Sequence, residues 1–251
     1  MNPNHILGFD IGGTGIKGAI VDVTTGELVT ERVKVLTPDP ATPDAIGHAV
    51  QTITEQFEYK GIIGCGFPAI VKNGIALSAS NIDKSWINAN VENLLSKYSA
   101  CPVYVANDAD VAGMAEQAFG FAANQPGVVI VLTIGTGIGS ALFYNGVLVP
   151  NTEFGHLKFH KSIAEHYASN IVREEKHLNW EKFGGRLDEF LNHLQFIFSP
   201  NLFIIGGGIS KKFDLYKQYF TLETSIVPAK FQNDAGVIGA ALYAHRKKET
   251  N

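Results

Sequence analysis

The chain has 251 residues, of which 45% are hydrophobic and 18% charged, and its formal net charge is −4. This is enough core-forming material for one large globular domain or two smaller ones, and it excludes a disordered or fibrous chain. Without a long apolar run or a signal-like start, the sequence predicts a cytoplasmic protein with no membrane span. The acidic charge gives no reason to expect nucleic acid. Cys65 and Cys101 lack disulfide or zinc spacing, which favours buried thiols in a reducing compartment.

A strand, a glycine-rich turn and a second strand are predicted at the start of the chain, over LGFDIGGTGIKGAIV. Gly13, Gly15 and Gly18 have the G-x-G-x-x-G spacing of dinucleotide-binding turns, but that motif requires a helix after the turn. The segment after this turn is rich in β-branched residues and predicts a strand, which disfavours a dinucleotide fold. A third strand is predicted to end at Leu36.

The same pattern returns about 125 residues later, where TIGTGI matches DIGGTGI with one glycine fewer. In each hairpin the turn exposes successive backbone N–H groups and a threonine hydroxyl, an arrangement that binds anions. One such hairpin could equally be an ordinary tight turn. Two matching copies favour a duplicated domain that holds phosphate groups between its halves.

Other elements follow from periodicity and turn residues. Apolar residues at helical spacing predict a helix over Pro43–Phe57, and Ile62–Pro68 is typical of a strand that runs into a turn. The polar segment Ser78–Asn88 is either a surface loop or part of a site. Further helices are predicted over Asn179–Phe198, whose apolar stripe is core or a dimer contact, and over Ala235–Arg246.

A predicted strand over Val103–Ala106 runs directly into Asn107 and Asp108. Asp108 stands where a helix N-cap would fall, and it is also placed to act as a general base. The spacing leaves both interpretations open. Asp110 is interpreted as a solvated or capping residue.

Glu153 and His156 follow the second hairpin. A Glu-x-x-His pair can bind metal on a helix, with His160 as a third ligand, but a proline before it and a glycine inside it disfavour a helix. Contacts to sugar hydroxyls are the alternative. The triple glycine at 206–208 ends a predicted buried strand, at an edge where open α/β sheets bind ligands.

In this order the motifs resemble those of the ROK family of sugar kinases, in the hexokinase–actin superfamily, over nearly the whole chain. Four segments resemble its two phosphate motifs, its catalytic segment and its sugar-binding ExGH motif: Asp10–Lys17, Thr133–Gly139, Asn107–Asp110 and Glu153–His156. Five others resemble the branch of bacterial glucokinases that uses polyphosphate: Asn81–Trp86, Val149–Glu153, Leu178–Trp180, Val227–Ala229 and Asn233–Gly236.

The resemblance implies an α/β, actin/hexokinase-like (ribonuclease H-like) fold of two lobes, with duplicated mixed sheets and a central cleft. Residues 1–108 would form the N-terminal lobe, and residues 109–234 the C-terminal lobe. The final helix, within residues 235–251, would pack back on the N-terminal lobe.

The resemblance also implies roles for individual residues. Asp108 would be the base that activates the 6-hydroxyl of glucose. The other sugar contacts would be Asn81, Asn107, Glu153, His156, Gly66 and Pro68. Asp10 would help to place Mg²⁺. Residues of the two phosphate motifs and of the triple glycine would hold the donor: Asp10, Gly12, Gly13, Thr14, Gly15, Lys17, Thr133, Gly135, Thr136, Gly137, Gly207 and Gly208.

The implied function is phosphorylation of glucose with polyphosphate, ATP or both, by a homodimer. The alternatives are an ATP-dependent ROK kinase for another hexose or N-acetylhexosamine, and a non-catalytic sugar-binding protein. Many ROK members have a cysteine-rich zinc loop after the ExGH motif, but no cysteine follows Cys101 here. We therefore expect no zinc site, and the sugar-binding glutamate near that loop has no assignable match.

A polyphosphate chain would require positive charge along its path. A solvated helix face is the favoured interpretation for each of the six candidate basic residues, which are Arg173, Lys176, Lys182, Arg186, Lys211 and Lys212.

Overall fold

The computed structural model describes residues 2–80 and 82–250, the last without its side chain. The chain divides into two compact units, Met1–Ala115 with Asp234–Asn251, and Glu116–Asn233. No helix within the described residues is long and apolar enough to cross a membrane.

The described residues of the first part of the chain form eight strands and three α-helices. They are β1 (His5–Ile11), β2 (Ile16–Asp22), β3 (Glu27–Leu28), β4 (Val33–Val35), α1 (Pro43–Gln56), β5 (Ile63–Phe67), β6 (Val71–Lys72), β7 (Ile75–Ala76), α2 (Val91–Ser99), β8 (Val103–Asn107) and α3 (Asp108–Phe119).

The described residues of the rest of the chain add seven strands and four α-helices. They are β9 (Val128–Ile134), β10 (Ile138–Tyr144), β11 (Val147–Val149), β12 (Lys158–Phe159), β13 (Ser162–Ile163), α4 (Glu165–Ala168), α5 (Asn170–Glu175), α6 (Trp180–Phe198), β14 (Leu202–Gly206), β15 (Ser225–Pro228) and α7 (Ala235–Thr250).

The main sheets of the two units have the same topology. The first has the order β3-β2-β1-β5-β8, with β4 also pairing with β2, and the second has the order β11-β10-β9-β14-β15. In both, an antiparallel hairpin is joined to two parallel strands. The duplication predicted from the repeated glycine motif is therefore confirmed, and a strand follows the first turn as predicted.

The prediction of one continuous third strand to Leu36 is wrong. That segment forms two short strands, β3 and β4, which pair with different parts of β2. Between them the hydroxyl of Thr30 accepts the hydrogen bond of the Ile20 amide, at 3.0 Å. A side chain thus replaces a backbone acceptor there, and the strand is interrupted.

The predicted helices are present with small shifts at their ends. The side chain of Asn179 accepts a hydrogen bond from the Lys182 amide at 2.9 Å, so it caps α6 and the helix begins one residue later. The apolar stripe of α6 is buried in the core of the second unit, which decides between the two interpretations. The final helix continues past Arg246 to Thr250.

Helix α7 packs against the sheet of the first unit through glycines. A Cβ atom placed on Gly8 would lie 2.1 Å from the carbonyl oxygen of Val237, and one on Gly64 would lie 1.8 Å from that of Ala240. Helix α3 packs against α7 in the same way, because a Cβ on Gly239 would lie 1.6 Å from the carbonyl oxygen of Val111. Because this contact includes the start of α3, the first unit extends past residue 108 to Ala115.

We expect Gly64→Ala to lower the free energy of unfolding by about 3 kcal/mol, because the new methyl group forces α7 away from β5. Urea unfolding measures this change. The matched control is Gly185→Ala in α6, where an added Cβ meets nothing within 4 Å. That change should stabilise the protein by about 0.5–1 kcal/mol through helix propensity. Equal stability of Gly64→Ala and the wild type would contradict the packing described for α7.

Candidate active site

Both predicted glycine turns are closed by the same kind of hydrogen bond. The Gly12 amide donates to the Gly15 carbonyl oxygen at 3.1 Å, and the Gly135 amide donates to that of Gly137 at 3.0 Å. The second turn is one residue shorter, as its sequence predicts. The hydroxyl of Thr37 also donates to the Gly12 carbonyl and braces the first turn.

Asp10, just before the first turn, is held by a charge pair. The Lys17 ammonium lies 2.7 Å from Asp10 Oδ2, and both side chains are partly buried. Gly236 leaves room for this carboxylate, because a Cβ there would lie 2.6 Å from Asp10 Cγ. The carboxylate is therefore fixed beside the turn.

Three neighbouring parallel strands bring the predicted residues of the first unit to one sheet edge. Asp10 is the register partner of Gly66, and the next residue of β5 pairs with Asn107. A Cβ on Gly66 would lie 3.5 Å from the Cα of Asp108. Pro68 follows directly after β5. Because carboxyl ends of parallel strands share one edge, the turn, Gly66 and Asp108 are neighbours there.

Asn107, and not Asp108, caps α3. Its Oδ1 accepts hydrogen bonds from the amides of Ala109 and Asp110, at 2.9 and 3.1 Å, and its Nδ2 donates to the carbonyl of Ala69. Capping by Asp108, one of the two interpretations of its place in the sequence, is therefore wrong, because the helix begins at Asp108 itself, one residue earlier than that interpretation needs. Asp108 is the first helical residue and is half-buried, at the end where the helix dipole stabilises a negative charge.

The expectation that Asp110 is solvated is wrong. Only 1% of Asp110 is exposed. Burial raises the pKa of Tyr243 to about 12, with Glu92 and Asp110 adding to the effect. Asp110 therefore belongs to the interior of the first unit.

Within the segment Ser78–Asn88, Trp86 anchors its end of the loop to the core. Trp86 is completely buried, its ring meets that of Phe67 at 4.7 Å, and its indole N–H donates to the Ala41 carbonyl. The predicted sugar contact Asn81 lies outside the described residues.

In the second unit, the turn at Gly135 and the triple glycine lie together. The Gly135 carbonyl accepts hydrogen bonds from the first two amides of α5, at 3.1 and 3.2 Å. Gly207 has a φ of 74°, and a Cβ there would lie 2.4 Å from the carbonyl oxygen of Ile134. Gly207 thus packs against the strand that leads into the turn, whereas an added Cβ on Gly208 meets nothing within 4 Å.

Glu153 and His156 are joined in the same unit. The Nδ1 atom of His156 lies 3.1 Å from Glu153 Oε2, and residues 154–156 form one 3-10 turn. His160 does not join them, because its Nε2 atom lies 2.7 Å from Glu189. The third metal ligand suggested by the sequence is therefore paired elsewhere, and contacts of Glu153 and His156 to sugar hydroxyls stay a prediction.

Glu165 completes this cluster and was missed by sequence reasoning. Its Oε1 atom lies 3.7 Å from His156 Nε2, and its Oε2 atom accepts a hydrogen bond from the Ile138 amide, just past the second turn. Glu165 thus gives the cluster a second carboxylate after the ExGH motif. Its only sequence signal is an acidic residue at the start of a helix, which capping alone would explain.

Two of the six candidate basic residues are held by their neighbours. The Arg173 guanidinium lies 4.5 Å from the centre of the Trp180 ring, and that of Arg186 lies 4.7 Å from the centre of the Tyr167 ring. Arg173 also pairs with Glu174. The lysines of the set are exposed. Both arginines are half-buried against these rings, so the alternative of a solvated helix face does not hold for Arg173 and Arg186.

Comparisons with known proteins agree on one family. Residues 6–170 match the sequence profile of the ROK family. A polyphosphate glucokinase of Mycobacterium tuberculosis (strain CDC 1551 / Oshkosh) is 43% identical over 239 residues, which is 95% of this chain and 90% of that protein. The crystal structure of an inorganic polyphosphate/ATP-glucomannokinase from Arthrobacter sp. strain KM has a TM-score of 0.94 and 44% identity, and covers 97% of this chain and 99% of its own. A ROK glucokinase from Streptomyces griseus, solved with glucose and AMPPNP, shares the fold with a TM-score of 0.81 at 24% identity, over 96% of this chain and 99% of its own.

Proposed function

Because the chain belongs to the ROK family and has the actin/hexokinase-like α/β fold of ROK sugar kinases, we propose that it phosphorylates the 6-hydroxyl of glucose with polyphosphate, ATP or both. The observation that carries this proposal is the position of Asp108. Its carboxylate lies at the start of α3, on the sheet edge that also holds Asp10 and the glycine turn.

In the proposed reaction Asp108 accepts the proton of the 6-hydroxyl as that oxygen attacks the terminal phosphorus of the donor. The new O–P bond forms while the bridging P–O bond breaks, and the leaving group is ADP or a polyphosphate shortened by one unit. Such catalysis is mostly positioning and charge stabilisation, with general-base assistance.

The sugar hydroxyls are proposed to contact the cluster of Glu153, His156 and Glu165. Asn107 would add the second hydrogen of its amide, since the first is used by the carbonyl of Ala69. Gly66 and Pro68 would line the pocket, and Asn81 stays a predicted contact.

The donor phosphates are proposed to bind the backbone N–H groups of the two turns, with the hydroxyls of Thr14, Thr133 and Thr136. Lys17 would contribute charge, and Gly207 and Gly208 would lie near the base of ATP.

Asp10 is suited to Mg²⁺, which typically takes one or two carboxylates together with substrate phosphates. Within the described residues Lys17 uses Oδ2 of Asp10, so Oδ1 is the oxygen open to a cation. Bound there with the donor, Mg²⁺ would neutralise phosphate charge.

The proposal is tested by the rate of glucose 6-phosphate formation with Mg²⁺ and one donor at a time, either long-chain polyphosphate or ATP. We expect turnover with polyphosphate at an efficiency equal to that with ATP or above it. Turnover with ATP alone would remove polyphosphate as the donor. With neither donor active and glucose still bound, mannose and N-acetylhexosamines are tested as acceptors, and their failure too would favour a sugar-binding protein. The homodimer stays a prediction, which the molar mass in solution tests.

Acid pH should weaken glucose binding through Glu153. Burial raises the pKa of the Glu153 carboxyl and Glu165 adds to this, whereas the hydrogen bond from His156 lowers it. With a raised pKa, Glu153 takes up a proton at a higher pH than an exposed glutamate, and a protonated carboxyl is a poorer acceptor. The KM for glucose should therefore rise as the pH falls through this range.

The variant Glu153→Gln does not titrate, so its KM should be higher at neutral pH and lack this acid dependence. The control Glu223→Gln, at an exposed glutamate, should keep the wild-type profile. A Glu153→Gln profile that matches the wild type would contradict the role of Glu153.

A further inference from the structure

Lys34 lies in a row of charged residues beside the first glycine turn. Asp10 is the register partner of Lys17 across β1 and β2, and Lys17 is the partner of Lys34 across β2 and β4. Direct partners in antiparallel strands point to the same face of a sheet. The row therefore places one carboxylate and two ammonium groups on one face, immediately next to the turn.

The side chain of Lys34 lies against Gly15 of this turn. A Cβ atom on Gly15 would lie 2.5 Å from Cε of Lys34 and 3.5 Å from its Nζ. The absence of a side chain at Gly15 is what allows the lysine to lie against the backbone here. The ammonium group therefore stands beside backbone that is suited to bind phosphate.

Among the described residues, the charges near Lys34 are paired with one another and not with Lys34. Lys17 is paired with Asp10, and Arg32, two residues before Lys34, is paired with Asp234. In the part of the chain that the structure describes, no carboxylate lies within ion-pairing distance of the Lys34 ammonium. One positive charge is thus left over at the turn, where an anion could compensate it.

We propose that Lys34 binds the phosphate chain of the donor at Gly15. This inference rests on the proposed function. It adds a donor-binding residue that lies outside the phosphate motifs and outside the six candidate basic residues. A charged lysine next to phosphate oxygens forms strong, salt-sensitive contacts. A long polyphosphate and the triphosphate of ATP both present such oxygens.

The test compares Lys34→Ala, Lys34→Arg and the wild type. Lys34→Ala should raise the KM for polyphosphate and for ATP by about tenfold, the loss of one charged contact, with kcat and the KM for glucose within about twofold. Lys34→Arg keeps the charge and should restore most of the donor affinity. The KM of Lys34→Ala should also depend less on salt concentration than that of the wild type. The control Lys97→Ala removes an exposed lysine from the last turn of α2 and should change nothing.

Calorimetric titration of polyphosphate into the protein without glucose separates this inference from the proposed function. Weaker binding by Lys34→Ala supports the role of Lys34 even if no phosphoryl transfer to glucose occurs. Donor KM values and binding isotherms of Lys34→Ala that equal those of the wild type would overturn it, and the proposed function would stand if the wild type is active.

Discussion

Replacing Asp108 by asparagine is expected to lower kcat for glucose phosphorylation by about 10²–10⁴-fold while glucose still binds. The amide has nearly the shape of the carboxylate but cannot accept the proton of the 6-hydroxyl. Since Asn107 caps α3, the change at Asp108 leaves the cap intact. The loss should therefore be in turnover and not in folding.

Three measurements isolate this effect: kcat, the Kd for glucose by calorimetry, and the midpoint of thermal unfolding. The variant Asp214→Asn changes an exposed aspartate and should match the wild type in all three. Turnover of Asp108→Asn within a few-fold of the wild type would show that Asp108 is not the base.

Removing the carboxylate of Glu165 is expected to raise the KM for glucose by about 10- to 100-fold, the range for a lost hydrogen bond to a charged group. In the structure this carboxylate lies beside His156 and accepts a hydrogen bond from the Ile138 amide. Glu165→Ala would leave the imidazole without its second carboxylate, and the sugar without one acceptor. Glu165→Gln keeps the amide contact and should lose less.

The donor KM of Glu165→Ala separates sugar contacts from a general disturbance of the second turn. It should stay within about threefold of the wild type, because the expected loss of a charged contact concerns only the sugar. Glu175→Ala, at an exposed glutamate, is the control for a change of charge. An unchanged KM for glucose in Glu165→Ala would remove Glu165 from the sugar contacts.

The duplicated fold was predictable because its signal is local. Each half begins with an apolar strand, a glycine turn and another apolar strand, and the turns at Gly12 and Gly135 close by equivalent hydrogen bonds. Strand periodicity and turn glycines are set by residues close in the chain, so a repeated motif predicts a repeated hairpin.

Residues whose position depends on distant pairing were harder to predict. Lys34 reaches Gly15 only because β4 pairs with β2 in one particular register, after an interruption at Thr30 that the apolar pattern does not signal. Glu165 joins His156 through a short helix of four residues. Asn107 and Asp108 differ by one position as possible caps of α3, and sequence patterns locate helix ends less precisely than one residue.

The most direct test of phosphoryl transfer is a ³¹P NMR time course of the protein with glucose, Mg²⁺ and long-chain polyphosphate, without nucleotide. We expect a sugar phosphate ester signal to grow while the interior polyphosphate signal declines, and omission of glucose to stop both changes. Growth of inorganic phosphate alone, or a spectrum that does not change, would contradict the transfer of phosphate from polyphosphate to glucose.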